Sequence, residues 1–554
     1  MAQERIALLD DVDDIRPVTA PAPVYHPGDL SRFHGCVLQD FVPLLQRPWY
    51  TYPRLFELNA LLLSAMLTQI TCGFDGSMLN SLQSVPAWRA FFDEPSGARL
   101  ALMGNAMIFG VIAFTPVFPY LCERYGRRLP IFGGCAFVAL GSLAQGLAGS
   151  YRTFVVARFF IGVGLSLSST ASPLLIVECA YPSQRGTMTS LIEPAWPLGS
   201  FFAAITTALT AVALSSSNWS WRIPSLMQGL FPLVQCLLVL YAPESPRWLV
   251  SKDRYDEAYA ILRRYHGSVY DADLIDDATT GTAAAAEDLV QFEMAEICAA
   301  LAAEQTANLS RWRQFFETGG MRHRFFIVVV LSVMLQFSGM SILSYYLPLV
   351  LASMGVTSPN TQLMINLGAT IVSIGTSVIS GLTVERVGRR PGFLFGFITM
   401  LLTMEFWTFL TALAERFPVK FTHSGFLLTL NIAVMYLFQA FYHIVAPLAP
   451  TYMVEVVPYS LRSKTTMLTQ LVQNLTIMLN NFINPIALAA LRWRYYALYC
   501  GVLATWTVVA YQWFPETGGK GLEEIAQIFD DIDVDDLTVP HSGQLFKDFD
   551  NDEL

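Results

Sequence analysis

The hexapeptide ERYGRR at 123–128 returns as ERVGRR at 385–390. Each copy follows the second member of a series of long apolar runs, so the two copies mark the same point in two halves of one chain. The runs fall at 57–79, 101–121, 129–149, 153–176, 188–213 and 223–242, and after a polar gap at 325–352, 363–384, 391–413, 425–450, 465–489 and 494–514. A hydrocarbon layer about 30 Å thick takes roughly 20 apolar residues per helical crossing, and each run is of that order. The pattern predicts an all-α membrane protein of twelve transmembrane helices, built as two pseudo-symmetric six-helix bundles around a pathway between them.

Composition points the same way. The 554 residues are 53% hydrophobic and 14% charged, with a mean hydropathy of +0.44, which is too apolar for a soluble chain of this length. The net charge of −10 comes largely from the tails and the central gap, in stretches such as 273–277 and 530–536. An acidic chain with no basic surface excludes nucleic-acid binding. No Gly-rich loop with a lysine, nucleophile elbow or zinc-spaced His and Cys set is present, so neither an enzyme nor an ATP-driven pump is expected, and no cofactor or metal. The eight cysteines are scattered without a CxxC pair and read as small buried residues. The first fifty residues lack a basic start followed by an apolar core, so the first span itself would direct insertion.

Basic residues set the orientation. Arg124, Arg127 and Arg128 lie between spans two and three, Arg386, Arg389 and Arg390 between spans eight and nine, and Arg247, Arg263, Arg264, Arg322 and Arg324 in the central gap. All three segments are expected in the cytoplasm, and an even number of spans then puts both termini there. The segments are a cytoplasmic tail (1–56), a bundle (57–242), a cytoplasmic linker (243–324) with amphipathic helices at 256–265 and 287–304, a second bundle (325–514) and an acidic tail (515–554).

Ionisable groups at membrane depth cost several kcal/mol unless paired or hydrated, so the few present carry weight. Asp75 lies late in span one and Arg158 early in span four. They form a candidate pair, although Asp75 between Gly73 and Gly76 would also suit the cap of a broken helix. Glu193 starts a Glu-Pro-Ala-Trp-Pro stretch that places a carboxyl beside Trp196 in a proline-kinked span five. At the helix ends, Glu123, Arg127, Glu178, Arg185, Glu244 and Arg247 in one half, and Glu385, Arg389, Glu455, Arg462 and Glu516 in the other, can form charge networks. Exposed pairs of this kind are worth on the order of 1 kcal/mol and are easily broken; the alternative is that the arginines are plain positive-inside anchors.

Further motifs make the pattern specific: GFDG (73–76), ECAYPSQRG (178–186), PESPRWL (243–249), YMVEVVPYSLRSK (452–464) and PETGGKGLEEI (515–525). With the two ERxGRR copies, the chain resembles the sugar porter family of the major facilitator superfamily over nearly its whole length. GFDGSMLNSLQ and NWSWRIPSLMQ (218–228) are similar to the fungal lactose-permease-like and cellodextrin-transporter branch. The resemblance implies that Asp75 and Arg158 form a proton site, that the charge networks latch the outward-facing state, and that substrate sits between the bundles. It implies a plasma-membrane address; we expect a monomer that meets a small-molecule substrate, protons and the bilayer.

Sugars need amides and acids for their hydroxyls and an aromatic ring beneath their apolar face. The family's span-five Gln position holds Glu193 here. LQFSGMS (335–341) keeps Gln336 but has Leu335 and Ser341 where the family has Gln and Asn, and the span-ten aromatic position is Pro450. Candidate substrate residues are therefore Glu193, Trp196, Gln336, Ser341, Tyr345, Tyr346, His443 and Asn481. Asn218 begins an Asn-Trp-Ser glycosylation triplet expected outside, between spans five and six. Three functions stay open: proton-coupled uptake of a sugar or polyhydroxylated compound, transport or export of another metabolite, and a transport-dead sensor.

Overall fold

The computed structural model describes residues 41–42, 47–269, 281–307, 312–383, 388–417, 425–458, 461–518 and 528–529, and among them the regular structure is entirely helical. The first half holds span one (Pro53–Leu82), span two (Gly97–Phe114), span three (Arg128–Gly146), span four (Tyr151–Cys179), span five (Ile192–Ala213) and span six, which is two helices, Trp219–Met227 and Leu230–Val239. The second half holds span seven, also two helices (Gly319–Gln336 and Met340–Ser353), then span eight (Pro359–Thr383), span nine (Arg389–Arg416), span ten (Gly425–Val456), span eleven (Arg462–Leu491) and span twelve (Trp493–Trp513). Eleven spans are long and apolar enough to cross a bilayer. Span twelve has the length, at 21 residues, but Arg494, Gln512 and its tyrosines lower its hydropathy.

The described chain forms two compact units. One comprises Leu58–Glu244 with Ala303–Val539 and contains both halves; the other comprises the described parts of Met1–Glu57 and Ser245–Ala302. Within the first unit, span four packs on spans two and three, span three on span six, and span nine on spans ten and twelve. The halves meet through spans five and eight and through spans eleven and two. Adding six to each number turns the first contact into the second, which is the structural form of the ERxGRR duplication. Ser150 and Thr318 cap spans four and seven, each accepting a bond from a main-chain N–H three residues on, at 3.3 and 3.1 Å.

The second unit is the central gap folded on itself. The expected helix at 256–265 is present as Tyr255–Leu262 followed by one wider turn, Arg263–Gly267, and the helix expected at 287–304 runs over Gly281–Ala307. Leu249, Leu262, Val290 and Met294 form its small core. His266 Nδ1 meets Glu293 Oε2 at 2.7 Å, both nearly buried. Tyr259 donates to Glu287, and burial, followed by that carboxylate, pushes its hydroxyl well above the usual tyrosine range.

Span seven departs from the single run that hydropathy predicts. Ser338 and Gly339 interrupt it, with Gly339 at φ +93°, a backbone that only glycine adopts without strain. A second irregularity follows at Tyr346 (φ −136°), just before Pro348. Backbone groups freed at membrane depth need partners, and they have them. Asn480 Nδ2 donates to Gln336 O at 2.7 Å and Trp506 Nε1 to Phe337 O at 3.1 Å. At the second irregularity the partners come from the other half. Asn80 Nδ2 donates to Leu343 O at 3.3 Å while Asn80 Oδ1 accepts from Leu347 N at 3.1 Å. One amide of span one thus occupies the place of the Leu347-to-Leu343 helical bond, and Gln83 Nε2 caps Tyr345 O at 2.8 Å.

Candidate functional site

Span one runs unbroken through Gly73 and Gly76, so Asp75 sits mid-helix and does not cap a helix end. The two glycines serve packing. A Cβ on Gly73 would fall 1.9 Å from the Trp196 carbonyl oxygen, and one on Gly76 3.3 Å from the Trp196 ring, so span five lies directly on span one beside Asp75. Ser200 Oγ donates to Gly73 O across the same contact at 3.1 Å. Asp75 is fully buried, and Arg158 reaches it with two nitrogens, Nη1 to Oδ1 at 3.2 Å and Nη2 to Oδ2 at 3.4 Å. Gln228, at the break in span six, donates its amide to Asp75 Oδ1 at 2.5 Å. Tyr345 of the second half is close enough to feel both charges. The carboxylate therefore has three donors from two neighbouring spans, an arrangement that keeps a buried charge only while the partners hold.

A second polar group lies in the other half. Asn484 Nδ2 donates to Ser341 Oγ at 3.3 Å, Tyr495 to Asn484 Oδ1 at 2.6 Å, Tyr499 to Asn480 Oδ1 at 3.4 Å, and Tyr346 to the Asn481 carbonyl at 2.7 Å. The asparagines and tyrosines of spans eleven and twelve flank the first irregularity of span seven, and Tyr346 ties the second to span eleven. Asn481 differs from its neighbours: it is 1% exposed, its Oδ1 has no hydrogen-bond partner, and its Nδ2 lies 3.9 Å from where a Cβ on Gly104 of span two would be. Its amide nitrogen faces span two of the other half, and its side-chain oxygen is left as an unused acceptor. Gln336 is half-buried at the same level.

Two turns of identical construction close one end of each half. The Glu244 carboxylate accepts the main-chain N–H of Arg127 at 2.9 Å and of Arg128 at 3.3 Å; Glu516 accepts those of Arg389 at 2.8 Å and Arg390 at 3.0 Å. Each acid thereby caps the start of span three or span nine, where the helix dipole favours an anion. Gly126 leaves room for it, since a Cβ there would stand 2.4 Å from Glu244 Oε2. The Arg127 guanidinium holds Glu178 at 2.9 and 3.0 Å, and that of Arg389 holds Glu455 at 2.8 Å. At the opposite end, bonds run between the halves: besides those of Asn80 and Gln83, Ser84 Oγ donates to Gln362 Oε1 and Asn366 Nδ2 to Ser81 Oγ, both at 2.9 Å. The far end is bonded shut.

The sequence candidates thus separate into groups. Asp75, Arg158 and Trp196 lie on the first half's side of the interface, with Tyr345 reaching them from the second half, and Gln336, Ser341, Tyr346 and Asn481 also belong to the second half. Ser341 is already engaged by Asn484. His443 is buried in span ten with Nε2 unpartnered and its ring 5.7 Å from that of Tyr442. Arg127, Glu178 and Glu244 form one network and Arg389, Glu455 and Glu516 the other; Arg185 Nε is buried without a partner, Glu123 is exposed, and Arg247 belongs to the second compact unit. Asn218 is exposed just before Trp219. The side chains of Glu193 and Arg462, and the whole of Glu385, lie outside the described residues. Gln228 and Asn80 were missed as site residues. Both are uncharged amides in runs that also hold serines and methionines, and nothing in their spacing distinguishes them.

Known proteins resemble this chain in sequence and in fold. In sequence, the chain is 28% identical to an arabinose-proton symporter of Escherichia coli (strain K12) over 283 residues, which is 51% of this chain and 54% of that one, so the match spans about half of each. It is 26% identical to the MFS-type transporter criB of Aspergillus cristatus over 439 residues, 78% of this chain and 84% of that one. In structure, it superimposes on the inward-open conformation of the E. coli xylose transporter XylE with a TM-score of 0.66 and 19% identity, covering 85% of this chain and 100% of that one. It also superimposes on XylE bound to 6-bromo-6-deoxy-D-glucose with a TM-score of 0.65 and 20% identity, covering 87% and 100%. At these identities the superpositions establish the fold, two six-helix halves in a multi-pass membrane protein. The model described as "Sugar (and other) transporter" matches residues 61–529, and the chain belongs to that family, the sugar porters of the major facilitator superfamily.

Proposed function

We propose that this chain is a secondary active transporter that carries a sugar or related polyhydroxylated compound together with a proton, by alternating access between its two halves. The observation that carries the reading is the fully buried Asp75 held by Arg158 and Gln228 beside Tyr345 of the opposite half. Rocking the halves apart moves Tyr345 away and changes what surrounds the carboxylate, which is how a proton would be taken up on one side and released on the other. Trp196, Gln336, Tyr345, Tyr346 and Asn481 line the substrate's side of the interface in this reading, with Asn481 Oδ1 as its open acceptor. With the basic loops and both termini in the cytoplasm, at the plasma membrane, the conformation described is inward-facing. The paired Arg-Glu networks, each closed within its own half in this conformation, then keep the start of span three and of span nine rigid as the halves rock.

A panel of labelled monosaccharides, disaccharides, polyols and amines, offered to cells lacking their own sugar transporters, tests this. Saturable uptake of a sugar or polyol that falls at alkaline pH and collapses with a protonophore supports it. Asp75→Asn is expected to abolish accumulation against a gradient and to spare exchange; unaltered active uptake in that variant would place the proton elsewhere. Because the Ser341 hydroxyl is engaged by Asn484, the site offers fewer free groups to a sugar than its residue list suggests. Uptake of none of the sugars or polyols by protein at the cell surface would favour a charged metabolite or export.

A further inference from the structure

At the far end, away from Asp75 and Asn481, a cavity of about 400 Å³ opens between the halves. One wall is the start of span two, from Pro95 to Leu100; the others are the ends of spans seven, nine and eleven and the start of span twelve. Leucines 100, 349 and 488, together with Trp493 and Tyr496, make it mostly apolar. Its size and lining are those of a small-molecule site, which typically combines roughly 300–1,000 Å³ with an apolar wall and a few placed polar groups.

Three features separate it from a packing fault. Tyr496 is 1% exposed, its ring lies 4.8 Å from that of Trp407, and its hydroxyl has the Ser353 hydroxyl close by but no hydrogen-bond partner within 3.5 Å. A buried phenol of this kind ordinarily has a partner. Ser353 of the same wall spends its hydroxyl on Val350 O at 2.6 Å. Arg492, the single residue between spans eleven and twelve, is held at φ +51°, a strained backbone for a side-chain-bearing residue. That corner sets the Arg492 guanidinium on Glu415 at 3.1 Å at the rim and turns Trp493 to the cavity. Gly97, at φ +53°, has nothing within 4 Å of where its Cβ would be, so the opposite wall stays open.

The geometry points to a second ligand site here, for an uncharged ring-bearing amphiphile whose acceptor takes the Tyr496 hydroxyl and whose polar end reaches the Arg492–Glu415 rim. Because its walls come from both halves, the site exists only while the far end is shut. A bound ligand therefore favours that state, by linkage. The binding stands independently of the transported substrate; the effect on conformation rests on the alternating-access reading above.

4-Hydroxybenzophenone, an aryl ketone that inserts into neighbouring C–H bonds on irradiation, is a suitable probe for the full chain in lipid nanodiscs. Saturable labelling of peptides carrying Leu100, Leu349 or Leu488 is expected. Tyr496→Phe should weaken half-saturation about fivefold, the equivalent of one ordinary hydrogen bond. Leu488→Trp and, from the opposite wall, Leu100→Phe should each abolish labelling, two fillers guarding against one that fails to fold. Labelling should persist when the far end is locked by a cross-link between Ser84→Cys and Gln362→Cys, whatever that lock does to transport. Non-saturable label spread over bilayer-facing residues, label indifferent to both fillers, or label lost in the locked protein would each overturn the site.

Discussion

Asp75 shows how a single residue's meaning depends on its neighbours. A buried carboxylate that loses one partner is left with an uncompensated charge, at a cost of about 3–5 kcal/mol when the partner is the opposite charge. Gln228 is the lesser partner, since a hydrogen bond to a charged group is worth about 1.5–3 kcal/mol. Gln228→Ala is therefore expected to lower proton-driven accumulation roughly tenfold while leaving equilibrium exchange, measured in proteoliposomes with and without a protonophore; full accumulation would remove Gln228 from the coupling group. The glycines beside Asp75 have an independent consequence. Gly73→Ala drives a methyl into the Trp196 carbonyl and should cost about 1–3 kcal/mol. Gly375→Ala in span eight, where a Cβ meets open space, should be neutral or slightly stabilising by helix propensity. Thermal unfolding of the two variants, followed by size-exclusion chromatography, distinguishes them, and equal Tm values would argue against the close approach of spans one and five.

At the scale of elements, span seven is the part most dependent on others. Its upper helix, Met340–Ser353, is held by Asn80 and Gln83 of the opposite half, so opening the far end requires the Asn80 amide to leave the ladder between Leu343 and Leu347. Asn80→Ala leaves a buried carbonyl and N–H unpaired in the shut state only, a penalty of about 1–3 kcal/mol for each. The population should shift toward the open state by tenfold or more, read as faster modification of a cysteine placed at Gln362 by an impermeant thiol reagent. An unchanged rate would mean that Asn80 leaves the gate without consequence. This element also marks the limit of what the chain reveals before it is folded. The twelve spans and the position of the linker helices were legible because hydropathy accumulates over about twenty adjacent residues. Asp75 and Arg158 were legible because a charge in an apolar run is anomalous wherever it sits. The breaks in spans six and seven were not. Glycines are tolerated in membrane helices, and whether one interrupts the helix depends on who satisfies the freed carbonyls. Here the answer lies in Asn480, Trp506 and Asn80, at sequence distances that no local pattern reports.

For the whole molecule, the duplication read from ERYGRR and ERVGRR has a mechanical content. Glu244 and Glu516 cap spans three and nine with the same pair of bonds, so Glu244→Gln and Glu516→Gln should impair transport in the same direction and to a similar degree. Impairment by only one would show that the halves do not share the load. At the opposite end the halves are bonded to each other through Asn80, Gln83, Ser84 and Asn366, while Asn105 of span two donates to Met478 O of span eleven farther along. A molecule with its networks inside each half at one end and its ties between halves at the other is poised to rock about its middle, where spans five and eight and spans eleven and two pack. Tying the far end covalently tests this directly. With Ser84→Cys and Gln362→Cys in a background whose other cysteines are replaced, a short bifunctional thiol reagent bridges side chains that are now 2.9 Å apart. Transport should stop and return when the bridge is cleaved, while the single-cysteine variants treated identically should work throughout. Uptake that continued with the far end tied would mean that substrate crosses without the halves parting there.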